Sequence, residues 1–161
     1  MRAILPILLL SAATPAAAEV VSADAHGFEV ASSVSLAVPV PRAYAAFSRI
    51  GACKATNMSL ALQPGGCFCE AIPGGGGVEH MRVAMVQPGK RIVLTGGLGP
   101  LLYEGTSSVM DVKFEAAAGG SKVTMSYRAA GFARGNGDKM APLVDAVLAE
   151  QMKGFAAYAG K

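Results

Sequence analysis

The sequence predicts an α+β domain in which a curved antiparallel sheet of about seven strands packs against one long C-terminal helix. Between Met58 and Ala130, short segments that alternate apolar and polar residues are separated by turns rich in Pro and Gly, as antiparallel hairpins require. The last twenty or so residues carry an apolar stripe with helical spacing. That stripe must be buried, and the apolar face of the sheet is the surface available to it.

The first strand and a short helix precede this region. Residues 28–38 alternate between apolar and small or polar side chains, which predicts a half-buried strand. Pro39 ends it, and residues 41–50 then predict a short helix with Pro41 in the first turn. One face of this helix is apolar and carries Tyr44, Phe47 and Ile50.

Six further strands and the long helix complete the domain. The strands are predicted in residues 58–63, 67–72, 78–87, 91–98, 103–116 and 122–130. In the last two, alternation buries one face and leaves the other wet, which suits an antiparallel sheet. The buried face is expected to carry Ser108, Met110, Val112, Phe114, Val123, Met125 and Tyr127. The helix begins near Asp138, and its stripe comprises Met140, Val144, Val147, Gln151, Phe155 and Tyr158.

Residues 1–18 have the pattern of a secretory signal peptide. Arg2 precedes an apolar run, and small residues at 16–18 supply the cleavage pattern. The run is about 11 residues long, whereas a bilayer span needs about 20. We therefore expect a mature chain that begins near Glu19, is exported across the inner membrane to a bacterial periplasm, and has no membrane span. Residues 19–26 would form an N-terminal lead and residues 27–160 a single domain.

The charge and motif content exclude several classes of function. Without Arg2 the chain has 13 basic and 11 acidic residues, scattered along the sequence, so a nucleic-acid partner is not expected. The segment GGLGPLLYEG lacks the last glycine and the helix of a dinucleotide loop. With two histidines and no Gly-x-Ser-x-Gly or His-Glu-x-x-His motif, common hydrolase sites are absent from the sequence. No cofactor is predicted.

Three segments resemble the START-related SRPBCC superfamily, which includes polyketide-cyclase-like and heat-shock-ATPase-activator-like proteins. They are SSVSLAVPVPRAYAAFSRIGA, PGGCFCEAIPGGGGVEHMRVAMVQPGKRIVLTGGLGPL and GTSSVMDVKFEAAAGGSKVTMSYRAAGF. The resemblance implies a helix-grip fold, in which the sheet wraps the C-terminal helix and leaves an apolar cavity between them. Many members carry a tryptophan-rich segment after the first short helix, whereas this chain has GACKATN there and no tryptophan anywhere.

Cys67 and Cys69 lie two residues apart on a predicted strand. A hairpin register places them with Met81 on an apolar face, away from His80. At about 7 Å between Cα atoms, they are predicted to be too far apart for a disulfide with each other. We interpret them as small buried hydrophobes. The alternatives are a disulfide from Cys53 to one of them, or soft-metal binding with Met81 and Met85 on the same face. No metal site is predicted.

Glu70 and His80 are the candidate catalytic residues. A turn centred on Gly75 places Glu70 opposite His80, with Arg82 on the same face. On a wet sheet face these side chains form a cross-strand ionic contact, which is the interpretation we favour. Inside a cavity the same pair can act as general acid and base.

The expected function is binding of a hydrophobic or amphipathic small molecule in the cavity that the resemblance implies. Apolar burial supplies the affinity, and polar groups such as Gln151 and Tyr127 orient the ligand. The predicted lining comprises Leu60, Leu62, Met81, Val83, Met110, Val112, Phe114, Met125, Tyr127, Val144, Val147, Gln151 and Phe155.

Two other functions compete with binding. One is a cyclase-like or hydrolase-like enzyme that uses the same cavity with His80 and Glu70 as acid and base. The other is a protein-interaction module, by analogy with chaperone activators, although a periplasm lacks ATP. The sequence identifies no protein partner.

Overall fold

The computed structural model describes residues 17–161 apart from 55 and 56, and it has the predicted α+β architecture. The helices are α1 (Val40–Phe47), α2 (Ile50–Lys54) and α3 (Gly137–Ala159), with a 3₁₀ helix at Gly99–Glu104. None of the helices in the described ranges has the length and apolarity needed to cross a bilayer. The strands are β1 (Ala17–Ala23), β2 (Gly27–Leu36), β3 (Met58–Leu60), β4 (Cys67–Ala71), β5 (Gly77–Gln87), β6 (Arg91–Thr95), β7 (Ser107–Ala117) and β8 (Gly120–Ala130).

The strands form one open antiparallel sheet in the order β1-β2-β8-β7-β6-β5-β4-β3. The six-strand meander is confirmed as β3–β8, and β2 pairs with the last of these strands. β1 makes an eighth strand where an N-terminal lead was expected. Its Val20 and Val21 are both exposed, so this edge strand lacks the alternation that identifies a half-buried strand. Residues 1–16 of the predicted signal peptide lie outside the described residues.

The two faces of the sheet differ as the alternation predicted. On the inner face of β7 and β8, every second residue is buried, from Ser108 to Phe114 and from Val123 to Tyr127. The outer face carries ion pairs between neighbouring strands. Arg91 Nη2 lies 2.7 Å from Asp111 Oδ2, and that contact raises the pKa of the guanidinium. The inner face is therefore the one that receives the helices.

Helix α3 packs against the inner face through residues spaced by three or four. Val147, which was expected in the middle of the buried stripe, is 53% exposed, so the stripe is rotated from its predicted position. Ala141 and Ala159 account for this rotation. Their small side chains let the helix approach the sheet closely, but alanine is too weakly hydrophobic to mark the buried face in the sequence. The buried residues are Gly137, Ala141, Val144, Leu148, Met152, Phe155 and Ala159.

The start of α3 is seated on the turn between β1 and β2. The backbone N–H of Gly137 donates to the carbonyl oxygen of Ala25 at 3.0 Å. A Cβ on Gly137 would lie 2.6 Å from the carbonyl oxygen of Asp24, so only glycine fits this approach. This contact holds the start of α3 against the turn between β1 and β2.

Aromatic rings join α1 to both the sheet and α3. The ring of Phe47 lies edge-on to Phe114 at 5.7 Å and to Phe155 at 5.6 Å between centroids. The ring of Tyr44 also packs edge-on against Phe114, at 5.3 Å between centroids, and burial raises the pKa of its phenol. The cluster closes one end of the space between sheet and helix.

Candidate ligand-binding site

A cavity of about 270 Å³ lies between the inner face of the sheet and α3. The sheet contributes Phe68, His80, Met110 and Met125, and the loop after β6 contributes residues 98–101. Phe47, Ile50 and Met58 close the end near α1 and α2. The helix contributes Met140, Leu143, Val144, Val147, Leu148, Gln151, Met152 and Phe155.

The wall is apolar and adaptable. Among the described residues, no Asp, Glu, Lys or Arg lines the cavity, and five of the lining side chains are methionines. Methionine is unbranched and polarizable, so it adjusts to ligands of irregular shape. Leu143 and Val147 are 61% and 53% exposed, which places the opening of the cavity along this part of α3.

Six of the thirteen side chains predicted to bind ligand line this cavity: Met110, Met125, Val144, Val147, Gln151 and Phe155. The other seven pack elsewhere, because the cavity covers only part of the inner face. Leu60 and Leu62 are half-buried and pack against the hydrophobic core. The remaining five belong to the close-packed core: Met81, Val83, Val112, Phe114 and Tyr127.

The hairpin of β4 and β5 has a different register from the predicted one. Glu70 pairs with Val78 rather than His80, and Cys69 pairs with Glu79 rather than Met81. The predicted pairing is wrong because three successive glycines with positive φ, residues 74–76, let the turn close one residue earlier than expected. The register then shifts between Phe68 and Cys69, and His80 is left unpaired as a β-bulge.

The bulge turns His80 into the protein. His80 and Met81 are both buried, at 7% and 1% exposure, which strict alternation along a strand does not allow. The predicted position of His80 on a wet sheet face is therefore wrong. The ring lines the cavity and lies 5.3 Å from the ring of Phe68.

Both ring nitrogens of His80 have partners. The backbone N–H of Gly99 donates to Nδ1 at 3.2 Å, so Nδ1 carries a lone pair. The proton is then on Nε2, which donates to Glu70 Oε2 at 3.0 Å. In this arrangement His80 anchors the loop after β6 to the sheet, and the lone pair on Nδ1 is occupied by the hydrogen bond from Gly99.

Two buried hydroxyl groups, those of Tyr127 and Ser108, also hold the loop after β6 to the sheet. Tyr127 donates to Ser108 Oγ at 2.8 Å and accepts from the Leu98 N–H at 3.5 Å, while Ser108 donates to the Gly96 carbonyl. Burial raises the pKa of Tyr127, so its hydroxyl keeps its proton. Tyr127 therefore supports the cavity wall, although it does not line the cavity itself.

Cys67 and Cys69 form a disulfide with each other, with their Cα atoms 5.4 Å apart. The prediction that they are too far apart is wrong because β4 is contracted at these two residues, compared with a regular strand. They are half-buried rather than core residues, since Phe68 takes the inward position. Their bond leaves neither cysteine for Cys53, whose side chain lies outside the described part of the chain. Met81 is on the inner face, so it does not join them in a metal site.

Comparison with known proteins identifies the family. Residues 37–160 match the sequence model described as Activator of Hsp90 ATPase homolog 1-like protein. A search of curated proteins gave no match. The match and the structural neighbours together confirm the resemblance to the SRPBCC superfamily.

Three solved structures illustrate the shared fold. A protein from Mesorhizobium loti is 17% identical with a TM-score of 0.62, and the match covers 81% of this chain and 95% of that one. CalU16 from Micromonospora echinospora is 12% identical with a TM-score of 0.61, over 92% and 87% of the two chains. The di-domain ARO/CYC StfQ from the steffimycin biosynthetic pathway is 14% identical with a TM-score of 0.58, over 84% of this chain and 51% of StfQ.

Proposed function

The chain belongs to the family of Activator of Hsp90 ATPase homolog 1-like proteins, and we propose that this member binds an apolar or amphipathic small molecule between its sheet and α3. The observation that carries the proposal is the cavity of about 270 Å³, which has an apolar wall and an opening beside Leu143 and Val147. Apolar ligands gain affinity from leaving water, and a preformed cavity needs little reorganisation to accept them.

The wall chemistry narrows the ligand class. A formal charge buried in this cavity would find no opposite charge among the lining side chains, so the buried part of the ligand is uncharged. Gln151 lies one helical turn after Val147, near the opening, and its amide both donates and accepts hydrogen bonds. The volume of about 270 Å³ lies just below the usual range of ligand pockets, about 300–1,000 Å³, so the ligand is about the size of two or three rings.

Native mass spectrometry of protein purified without reductant, followed by titration with N-phenyl-1-naphthylamine, tests this proposal. This neutral dye fluoresces in apolar surroundings. We expect an additional mass that organic solvent removes, and saturable dye binding by the extracted protein. A bare chain that also fails to bind the dye would contradict the proposal.

The pair of His80 and Glu70 in the cavity wall favours a second candidate, an enzyme that uses acid–base chemistry. StfQ, which is described as a di-domain ARO/CYC from the steffimycin biosynthetic pathway, shares the fold. Against this role, Gly99 already donates to the lone pair of His80, which a general base needs free. Binding therefore remains the better supported function.

The variant His80→Ala separates the two candidates. Removal of the imidazole leaves the Gly99 N–H and the Glu70 carboxylate without their partner. We therefore expect the free energy of unfolding to fall by about 1–3 kcal/mol. If the protein only binds its ligand, the extracted ligand emerges unchanged from incubation with either wild type or variant. Conversion of the ligand by wild type, lost in a variant that still binds it, would establish catalysis instead.

We also propose that the protein is exported, as the N-terminal pattern predicts. The disulfide between Cys67 and Cys69 supports an oxidising compartment. Cleavage after Ala18 would retain Glu19 and the following residues of β1, with their pairing to β2. Intact-mass analysis of protein from a periplasmic extract should give a chain that starts at Glu19. A chain that retains the leader and stays with the cytosol would contradict export.

A further inference from the structure

We propose that the disulfide between Cys67 and Cys69 is redox-active. Dithiols open it in the folded protein, and its state alters the cavity wall at Phe68 and His80. The part of this inference that concerns ligand affinity rests on the proposed function, whereas the chemical step and its effect on the wall do not. The disulfide would thus be a modification site that regulates the cavity from the opposite face of the sheet.

The disulfide lies where a reductant can reach it. Both cysteines are half-buried on β4, on the face opposite to Phe68, so they point away from the cavity. Glu79 pairs with Cys69 across the hairpin and is exposed, and its Oε2 lies 3.9 Å from Cys67 Sγ. A strand cysteine pair that faces solvent differs from structural disulfides, which are mostly enclosed.

The bond contracts the strand at one residue of the cavity wall. Residues two apart on a regular strand are separated by about 6.6 Å between Cα atoms. The Cα atoms of Cys67 and Cys69 are 5.4 Å apart, more than 1 Å closer. Phe68 lies between them with its ring in the wall, 5.3 Å from the ring of His80. Opening the bond lets β4 extend, and Phe68 must move with it.

The movement is passed to the loop after β6 through His80. The bulge at His80 on β5 lies opposite the register shift between Phe68 and Cys69 on β4. A change in the length of β4 at this point therefore displaces His80 as well. His80 in turn accepts a hydrogen bond from Gly99, which belongs to the wall. Because protein interiors are close-packed, a displacement of Phe68 requires its neighbours to readjust. We expect the reduced protein to hold apolar ligands more weakly.

The chemical step is thiol–disulfide exchange with a dithiol. A thiolate of the reductant attacks one Sγ, and the other cysteine leaves as a thiolate that takes up a proton. The second thiol of the reductant, as a thiolate, then attacks the reductant's own sulfur in the mixed disulfide and releases the remaining cysteine as a thiolate, which is also protonated. The protein gains two thiols, and the reductant becomes a cyclic disulfide. The carboxylate of Glu79 opposes the negative sulfur, and Arg82, which contacts Glu79, offsets this repulsion.

The test uses the full mature chain in a Cys53→Ser background, so that the only cysteines present are the proposed pair. Dithiothreitol is added to the folded protein with a chelator present, because the two Sγ atoms and a Glu79 oxygen lie within 4.8 Å of one another and can hold a metal ion when reduced. Thiol titration and intact mass report the bond, and circular dichroism reports the fold. Proton NMR of the ring hydrogens reports the wall, since the chain has two histidines, His26 and His80.

We expect two thiols to form while the fold is retained, the His80 ring resonances to shift and those of His26 to stay. The dissociation constant for N-phenyl-1-naphthylamine should rise at least threefold on reduction. A Cys67→Ser/Cys69→Ser variant should show the reduced values with or without dithiothreitol. Glu79→Gln should speed reduction about fivefold, as loss of one charge 3.9 Å from the sulfur implies when water screens the pair fully.

Two results would overturn the inference. One is that air-oxidised protein already titrates with two free thiols, or that its disulfide opens only when the fold is lost. The other is that reduction leaves both the His80 resonances and the dye affinity unchanged. If the dye binds neither form but the His80 resonances still shift, the proposed function fails while the redox coupling stands.

Discussion

Phe155→Ala is expected to lower the free energy of unfolding by about 3–5 kcal/mol, the usual cost of removing a buried phenylalanine. Phe155 is 4% exposed, lies on α3 and packs edge-on against Phe47 of α1. Its ring also borders the cavity, so the space it vacates adds to an existing void that neighbouring side chains cannot fill by small shifts. Urea unfolding at constant pH gives the change directly from the midpoint and slope.

Leu143→Ala provides the matched control for this change. It lies on the same helix and is 61% exposed, so its truncation should cost no more than about 0.5 kcal/mol. If Phe155→Ala costs less than about 1 kcal/mol, α3 is not held against the aromatic cluster as described. The grip of the sheet on this helix would then need another explanation.

Val144→Phe is expected to weaken N-phenyl-1-naphthylamine binding at least tenfold. Val144 is 8% exposed and lines the cavity from α3, and the added ring occupies part of a volume of only about 270 Å³. The larger side chain has empty space to enter, so overpacking should cost at most about 1–3 kcal/mol and the protein should remain folded. A fluorescence titration of wild type and variant measures the loss.

The same substitution at Val109 separates a blocked cavity from a general effect of added hydrophobicity. Val109 is on β7, 42% exposed and away from the cavity. Val109→Phe should bind the dye as wild type does. If Val144→Phe retains wild-type affinity while folded, the dye binds somewhere other than the cavity, and the proposed site is contradicted.

The fold followed from the sequence where one signal dominated. The alternation from Ser108 to Phe114 identified β7 and its inner face, because each inward residue is apolar or small. β1 was missed, since its residues at the edge are exposed on both faces and give no contrast. The stripe on α3 was found but rotated, because Ala141 and Ala159 are buried without being strongly hydrophobic.

The site was harder to predict because it depends on irregularities. A single bulge at His80 reverses which side chains face the core on either side of it, and no local residue pattern marks a bulge. For this reason the sequence places His80 on the solvent-exposed face of the sheet and does not identify Phe68 as part of the cavity wall. The helix residues Val144, Gln151 and Phe155 were found, since helical spacing is unaffected by strand register.

The central claim is that an apolar ligand occupies the cavity between the sheet and α3. Methyl NMR of methionine-labelled protein during a titration with N-phenyl-1-naphthylamine tests it most directly. Met110, Met125 and Met152 line the cavity from β7, β8 and α3, whereas Met85 on β5 does not. The account predicts saturable shifts of those three methyl resonances and none at Met85. Saturable dye binding that leaves the three lining methyls unmoved would contradict it.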